Sequence, residues 1–216
     1  MLTALPTKYG AGISICGDYF DLAGLRETIN DLVHDNASTP HFEFAQALAY
    51  DIRHAYQGDR EKRSFETSHG KIDYYSVNVL WPTFLVQVAL IRSAAAYLPT
   101  SKEQQAHLFL LEHCASSALS ILAPTVAKVC ADWFSSPMHI PEDFLIDFVD
   151  YQSRVFITSA STAKKRIRLL PHIMGQINKY SSEYKAYEEE SNLIAKQQGC
   201  RPQDLHDLSE WPPFKW

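Results

Sequence analysis

The chain of 216 residues has a formal net charge of −5, from 20 lysines and arginines against 25 aspartates and glutamates, and 46% of it is hydrophobic. This composition is typical of a folded globular protein, and it lacks both the low hydrophobicity of disordered chains and the basic surplus of nucleic-acid-binding domains. Four cysteines without a C-x-x-C pair favour free thiols in a reducing compartment over a disulfide or zinc framework. Residues 1–12 lack the pattern of a secretory signal, so we expect a cytoplasmic protein.

The N-terminal part predicts one strand followed by two helices. Residues 12–16 alternate and are β-branched, which is typical of a strand. Asp18 and Asp21 then supply N-cap chemistry for a helix that ends near residue 34. A second amphipathic helix fits residues 43–57, and Gly58 can close it.

Residues 64–67 and 71–79 predict the strands of a hairpin around the turn Ser68-His69-Gly70. Because an isolated hairpin is marginally stable in water, we expect it to join residues 12–16 in a three-stranded antiparallel sheet. The sequence up to residue 80 therefore predicts a small sheet that carries two helices.

From residue 83 onward the pattern is helical almost throughout, and Pro171 and Gly175 are expected to kink or divide the helix that contains them. The predicted fold class is α+β and predominantly α-helical: a small N-terminal antiparallel sheet with two helices, followed by a helical bundle. We expect one compact domain over residues 1–200, with the sheet in residues 1–80 and the bundle in residues 81–200, and an aromatic tail at 201–216. The predicted helices span residues 83–98, 102–122, 125–134, 142–151, 162–180 and 183–198.

The stretch from residue 77 to 98 is apolar enough to raise the question of a membrane-spanning helix. Pro82 shortens its helical part to about 16 residues, and a spanning helix needs about 20. Arg92 would also lie inside the bilayer, at a cost of about 2.5–3.5 kcal/mol. The pattern therefore favours a buried helix, and we expect no membrane association.

Arg92 needs a partner, because an unpaired buried charge is very costly. If the helices on either side of residue 99 are antiparallel, Arg92 lies across from about residue 109, within one turn of Glu112. We expect Arg92 and Glu112 to form a buried polar pair or to share a network with His113 or Gln87. An internal salt bridge, a polar pocket and an interface pair are all compatible with this prediction.

The sequence contains no H-E-x-x-H, no G-x-S-x-G, no P-loop and no EF-hand pattern. His107 and His113 are rotated by about 240° onto different faces of one helix, whereas chelation requires a spacing of three or four residues. We expect neither a metal nor a cofactor.

The most polar helical face lies between residues 50 and 60. Asp51 and His54 are i,i+3 neighbours that can hydrogen-bond, and an aspartate beside a histidine can support general-base chemistry. We treat them as candidate catalytic residues, although a solvated face or a partner contact explains the same pattern. The candidate ligand- or anion-binding residues are Tyr50, Arg53, Gln57 and Arg60.

Three segments of the chain resemble motifs of an uncharacterised family of bacterial proteins of unknown function. They are residues 17–22 (GDYFDL), 50–60 (YDIRHAYQGDR) and 78–82 (NVLWP). The resemblance covers roughly the first hundred residues. It implies a bacterial origin and brings no activity to transfer.

Basic residues cluster on one helix near the C-terminus. Lys164, Lys165 and Arg168 can share a face that would suit phosphate groups. The cluster is short and lacks interleaved aromatic residues, and the acidic residues 188–190 follow it. This favours a solvated face, paired with the acidic segment, over nucleic-acid binding.

The C-terminal tail carries Trp211, Phe214 and Trp216 around two adjacent prolines. The prolines impose an extended path, and aromatic residues on such a path suit docking into a groove. The groove could belong to the same domain or to a partner, so we name these three residues as candidate partner-binding residues.

Two functions fit these patterns. The first is a cytoplasmic protein-interaction or assembly protein that self-associates and can bind a partner through the tail. The second is a hydrolase or transferase that acts on an anionic or phosphorylated ligand at the polar face around His54. The sequence leaves enzymatic activity open and favours the first function.

Overall fold

A computed structural model describes residues 1–34, 40–68, 70–135, 140, 144–205 and 210–216 of the chain. The fold is α+β and mainly helical, with a small antiparallel sheet in the N-terminal part. The strands are β1 (Thr3–Pro6), β2 (Gly12–Gly17), β3 (Glu61–Thr67) and β4 (Gly70–Leu80). The helices are α1 (Tyr19–His34), α2 (Pro40–His54), α3 (Trp81–Tyr97), α4 (Lys102–Leu122), α5 (Pro124–Ser135), α6 (Leu145–Thr158), α7 (Ala163–Gln176) and α8 (Ser182–Gln198).

The sheet has the strand order β1-β2-β4-β3, and every neighbouring pair is antiparallel. The predicted three strands are present, and β1 adds a fourth at the edge beside β2. Sequence reasoning missed β1 because it is short and ends at Pro6, so its pattern is too brief to be read. The central register pairs Ile13 with Val79 and Ile15 with Val77, and all four side chains are buried.

Gly12 allows β2 and β4 to approach each other closely. A Cβ atom at this position would lie 1.9 Å from the carbonyl oxygen of Val79 and 2.7 Å from its carbonyl carbon. Both atoms belong to the backbone of β4, so no rotamer change can make room. Glycine is therefore required where the two central strands pair.

The start of α1 has the capping chemistry that the sequence predicts. The amide N–H of Asp21 donates to Oδ1 of Asp18 at 2.9 Å, and the amide N–H of Asp18 donates to Oδ2 of Asp21 at 3.2 Å. This reciprocal pair satisfies backbone donors that the helix leaves without partners. It accounts for the strand-turn-helix pattern of the first residues.

Helix α3 lies at the centre of the core. It packs against α2, α4, α5, α6 and α7, and it contacts β2 and β4. Trp81 and Phe84 are fully buried, and so are most residues on every side of the helix. This burial on all sides explains why the sequence looks apolar enough for a membrane. No helix within the described ranges is both long enough and apolar enough to span one.

The other boundaries differ from the predicted ones by a few residues. Helix α2 ends at His54 and continues as a π-helical turn, Ala55–Asp59, in which Gly58 has a φ of +91°. Helix α7 ends at Gln176 and contains Pro171 without being divided by it. Helix α6 runs further than predicted, to Thr158, while residues 142 and 143 of the prediction lie outside the described residues. The turn residue His69 also lies outside them.

Candidate functional site

The predicted polar face lies on the last turns of α2 and the π-helical turn that follows. His54 Nδ1 lies 2.7 Å from Oδ2 of Asp59, whereas Oδ1 of Asp51 accepts a hydrogen bond from Arg60 Nη2 at 3.3 Å. The expected contact between Asp51 and His54 is therefore replaced by two others. The physical reason is the π-helical turn, which folds the chain back and brings residues 59 and 60 alongside the end of α2.

His54 has a carboxylate partner, Asp59, and general-base chemistry at this histidine stays a prediction. Its Nδ1 is engaged with Asp59, and its Nε2 is buried without a hydrogen-bond partner among the described residues. The imidazole ring packs beside the Tyr50 ring, with 4.4 Å between the centroids. The contacts with Asp59 and Tyr50 together fix the orientation of the imidazole ring.

A groove of about 320 Å³ lies between α1 and α2. Tyr50 and Arg53 line it together with Arg26 and Asn30 from α1. The Arg53 guanidinium lies over the Tyr50 ring, 5.0 Å from its centroid. The other lining residues are Glu43, Gln46, Ala47 and Ala49.

The groove includes part of the predicted ligand-binding set. Tyr50 and Arg53 line it, whereas Gln57 and Arg60 lie in the turn and at its end, outside the lining. Sequence reasoning missed Arg26 and Asn30, because their place opposite α2 depends on how the two helices pack. Their i,i+4 spacing on α1 is the only pattern that could have drawn attention to them.

A larger cleft of about 850 Å³ lies between α6 and α8. Acidic side chains line it, and no lysine or arginine does so among the described residues. Tyr151 and Tyr187 form part of the wall, with 5.8 Å between their ring centroids. The acidic residues are Asp147, Glu183, Glu190 and Asp204, and Phe144 is a third aromatic lining residue.

The aromatic wall of this cleft rests on the core. The Tyr187 ring lies 5.1 Å from the buried Phe148 ring, which also contacts Tyr184 at 5.3 Å. Phe144 precedes α6 with a φ of +55°, a left-handed conformation that is uncommon for a residue other than glycine. Such strained residues are enriched at binding sites, and this observation favours a binding role for this end of the cleft.

Two further side chains define the chemistry of the cleft. Gln152 is 2% exposed, and its buried Oε1 atom has no hydrogen-bond partner in the described part of the chain. The pKa of Glu183 is lowered by backbone hydrogen bonding at the start of α8 and by the Ser182 side chain, so this carboxylate stays ionised at neutral pH. The lining therefore combines negative charge with a buried acceptor that has no donor among the described residues, a combination that suits a cationic ligand.

The residues of this cleft were not among the sequence-predicted sites. The acidic run at 188–190 was visible in the sequence, but its pairing with Lys164 and Lys165 was the expectation, and no ion pair joins these segments among the described residues. Lys164, Lys165 and Arg168 are instead exposed on α7. The carboxylates and tyrosines meet only because α6 and α8 pack together.

Arg166, within the same basic run, belongs to the interior. Its guanidinium donates to the backbone carbonyl oxygens of Tyr9 at 2.6 Å, Ile157 at 3.0 Å and Ala160 at 2.8 Å. Burial lowers its pKa. Arg166 thus connects the turn after β1 to the end of α6 and is not available to a ligand.

Arg92 and Glu112 lie together, as the antiparallel arrangement of α3 and α4 predicts. Arg92 Nε lies 3.3 Å from Glu112 Oε1, and the guanidinium lies 4.9 Å from the Phe109 ring centroid. The pair is half-buried, because the Arg92 side chain keeps 34% of its exposure. Burial raises the pKa of Glu112, and the charge of Arg92 opposes that shift. Gln87 donates instead to the backbone oxygen of Phe44.

The C-terminal tail packs against its own chain. The amide N–H of Tyr9 donates to the backbone oxygen of Trp216 at 3.1 Å, and Phe214 packs against the hydrophobic core. Trp211 lies 5.9 Å from the Arg154 guanidinium and retains 42% exposure. These contacts place the tail on its own domain, which is one of the two alternatives that the sequence left open, while contact with a partner stays a prediction.

The two histidines of α4 each contact a hydroxyl side chain, and two of the four cysteines are buried. His107 Nδ1 lies 2.7 Å from Thr28 Oγ1, and His113 contacts Ser117. Within the described ranges no three histidine, cysteine, aspartate or glutamate side chains are grouped as metal ligands. Burial raises the pKa of Cys114 to about 11 and that of Cys130 to about 12, so both are protonated and unreactive at neutral pH.

The fold and its two concave surfaces define a mainly helical α+β protein with an acidic cleft and a smaller arginine-containing groove. The chain belongs to a family described as a domain of unknown function, DUF6904, whose model matches residues 2–216. The match supports the resemblance to an uncharacterised family and extends it over nearly the whole chain. Comparison with curated proteins and with solved structures found no match.

Proposed function

We propose that this protein is an interaction protein whose docking site is the cleft between α6 and α8, and that its occupant is a lysine- or arginine-rich segment of a partner protein. The observation that carries the proposal is the lining: four carboxylates and three aromatic rings, without a described lysine or arginine. The proposal assigns the interaction function that the sequence predicts to the cleft between α6 and α8.

Charge complementarity selects the occupant. Arg201 already binds Asp204 through two hydrogen bonds of 2.9 Å, whereas Glu183 and Glu190 contribute negative charge to the lining of the cleft. Basic side chains relieve the repulsion among these groups and speed association. A lysine or arginine over the face of Tyr151 or Tyr187 adds a cation–π contact worth about 0.5–1 kcal/mol.

The size and floor of the cleft also suit a bound segment. Its volume of about 850 Å³ can hold several side chains. Gln152 Oε1 accepts no hydrogen bond from the residues that the structure describes, and a bound ammonium or guanidinium group can supply a donor. An anionic ligand would meet carboxylates and an unsatisfied acceptor, so the cleft does not suit the phosphorylated ligand of the enzymatic alternative.

The experiment measures binding of a short lysine- and arginine-rich peptide by fluorescence polarisation, with a glutamate-substituted peptide as the reference. Glu190→Gln removes one carboxylate of the cleft and should weaken binding by about two- to fivefold. Glu189→Gln is the matched control, because it makes the same charge change on an adjacent residue that does not line the cleft. Equal weakening by both variants, or no saturable binding to the wild type, would refute the proposal.

Gln152→Met separates a binding role from a structural one. The change removes a buried unsatisfied acceptor while keeping the side-chain length, so it should raise the free energy of unfolding by about 1 kcal/mol. The same variant should bind the basic peptide less tightly. A variant that loses stability and keeps full binding would show that Gln152 serves only the core.

Self-association, a cytoplasmic location and a bacterial source belong to the same proposal. Their support is the cysteine pattern, the exposed aromatic residues and the sequence resemblance. The test of self-association is the mass in solution by light scattering, where a monomer at all concentrations would contradict it.

A further inference from the structure

We propose that the groove between α1 and α2 binds a small anion that carries a carboxylate or phosphate group, with Arg26 and Arg53 as its charged contacts. The inference is independent of the cleft between α6 and α8, because the two surfaces share no residue.

The lining supplies an excess of donors. Arg26 and Asn30 project from α1, and Gln46, Tyr50 and Arg53 line the facing side of α2. The lining contains two positively charged guanidinium groups and one carboxylate, which belongs to the exposed Glu43. Guanidinium groups bind carboxylate and phosphate oxygens through paired N–H donors in a fixed planar geometry.

The two arginines differ from others in the described chain. Arg60, Arg92 and Arg201 each form an ion pair with a carboxylate. Neither Arg26 nor Arg53 lies within ion-pair distance of a carboxylate among the described residues. Two unpaired guanidinium groups on one concave surface leave their charge for a ligand.

Arg53 stacks its guanidinium on an aromatic ring of its own helix. Its guanidinium lies 5.0 Å from the centroid of the Tyr50 ring, and Tyr50 in turn packs against His54 at 4.4 Å. The buried Nε atom of Arg53 has no hydrogen-bond acceptor within the described ranges. Stacking of this kind orders the guanidinium before a ligand arrives and reduces the entropy lost on binding.

The size of the groove limits the ligand. Its volume of about 320 Å³ falls at the lower end of small-molecule pockets, which begin at about 300 Å³. A small anion fits such a space, whereas a nucleic-acid backbone would need an extended basic surface. His54 takes no part in this site, so the inference does not depend on acid/base chemistry.

The experiment titrates the full chain with inorganic phosphate and, separately, with succinate, at constant ionic strength. Binding is followed by isothermal titration calorimetry and by the NMR signal of the Arg53 Nε–H group. Saturable binding of at least one probe, with a shift of that signal, is the expected result. Tighter binding of phosphate or of succinate then identifies the preferred group. Failure of both probes to saturate would overturn the inference.

Three substitutions locate the site. Arg26→Gln and Arg53→Gln lie on different helices and should each weaken binding by about tenfold, as expected for the loss of a charge-assisted contact. Arg63→Gln is the matched control, because Arg63 is exposed on β3 and contacts Glu61. Equal weakening by Arg63→Gln would indicate unspecific charge attraction and would also overturn the inference.

Folding of the variants is checked by circular dichroism. Because the two groove arginines lie on different helices, one informative variant remains if the other unfolds. Loss of anion binding would leave the basic-peptide assay unaffected, so the two proposals fail separately.

Discussion

Gly12→Ala tests the close pairing of β2 and β4. The new Cβ would lie 1.9 Å from the Val79 carbonyl oxygen, whereas a relaxed carbon–oxygen contact requires about 3.3 Å. The two strands would have to separate by about 1.4 Å, which breaks ladder hydrogen bonds beside Leu80. Overpacking costs about 1–3 kcal/mol and two lost hydrogen bonds about 2 kcal/mol, so we expect a loss of about 3–5 kcal/mol in the free energy of unfolding.

Urea unfolding followed by circular dichroism measures this change. Gly175→Ala is the matched control, because nothing lies within 4 Å of its added Cβ and the residue lies inside α7. There the same substitution should stabilise the protein by about 0.5–1 kcal/mol through helix propensity. If Gly12→Ala left the free energy of unfolding within about 0.5 kcal/mol of the wild type, the central register of the sheet would be wrong.

Three further predictions concern the interior and the tail. Arg166→Met leaves three carbonyl oxygens without their donor and should cost about 2–3 kcal/mol in chemical unfolding, whereas the exposed Arg168→Met should cost less than about 0.5 kcal/mol. Phe214→Ala should lower the free energy of unfolding by about 1–2 kcal/mol, since the ring is partly buried; a loss that varies with protein concentration would indicate docking on another chain instead. Burial raises the pKa of Glu112, so the folded state holds that proton more tightly than the unfolded state does, and the free energy of unfolding of the wild type should fall as the pH rises above 4.5. In Glu112→Gln this fall should be smaller. Identical pH profiles of the free energy of unfolding for the two proteins would contradict the assignment.

Local patterns determined most of the secondary structure. Helix α4 has the predicted bounds, and α1 begins with the predicted Asp18–Asp21 pair, because capping and periodicity involve neighbouring residues only. The proximity of Arg92 and Glu112 was also predictable, since a short connection between two helices sets which residues lie opposite each other. β1 was missed because its pairing with β2, rather than its own pattern, makes it a strand.

The candidate sites depended far more on tertiary structure. Tyr50 and Arg53 were found from their spacing on one helix, but their groove exists only because α1 supplies Arg26 and Asn30. His54 was expected beside Asp51, and the π-helical turn places it beside Asp59 instead. A short π-helical turn at the end of an α-helix cannot be predicted from the periodicity of the side chains.

The sequence by itself determined a mainly helical α+β fold with a highly apolar central helix, because burial and hydrogen bonding leave periodic patterns in the chain. Only the tertiary structure decided that Glu190, the last residue of the acidic run, would line a cleft together with Tyr151 of α6. It also decided that Arg166 would lie in the interior while its neighbours in the basic run remained exposed. Both outcomes depend on contacts between distant segments, whose geometry is set by the packing of whole helices.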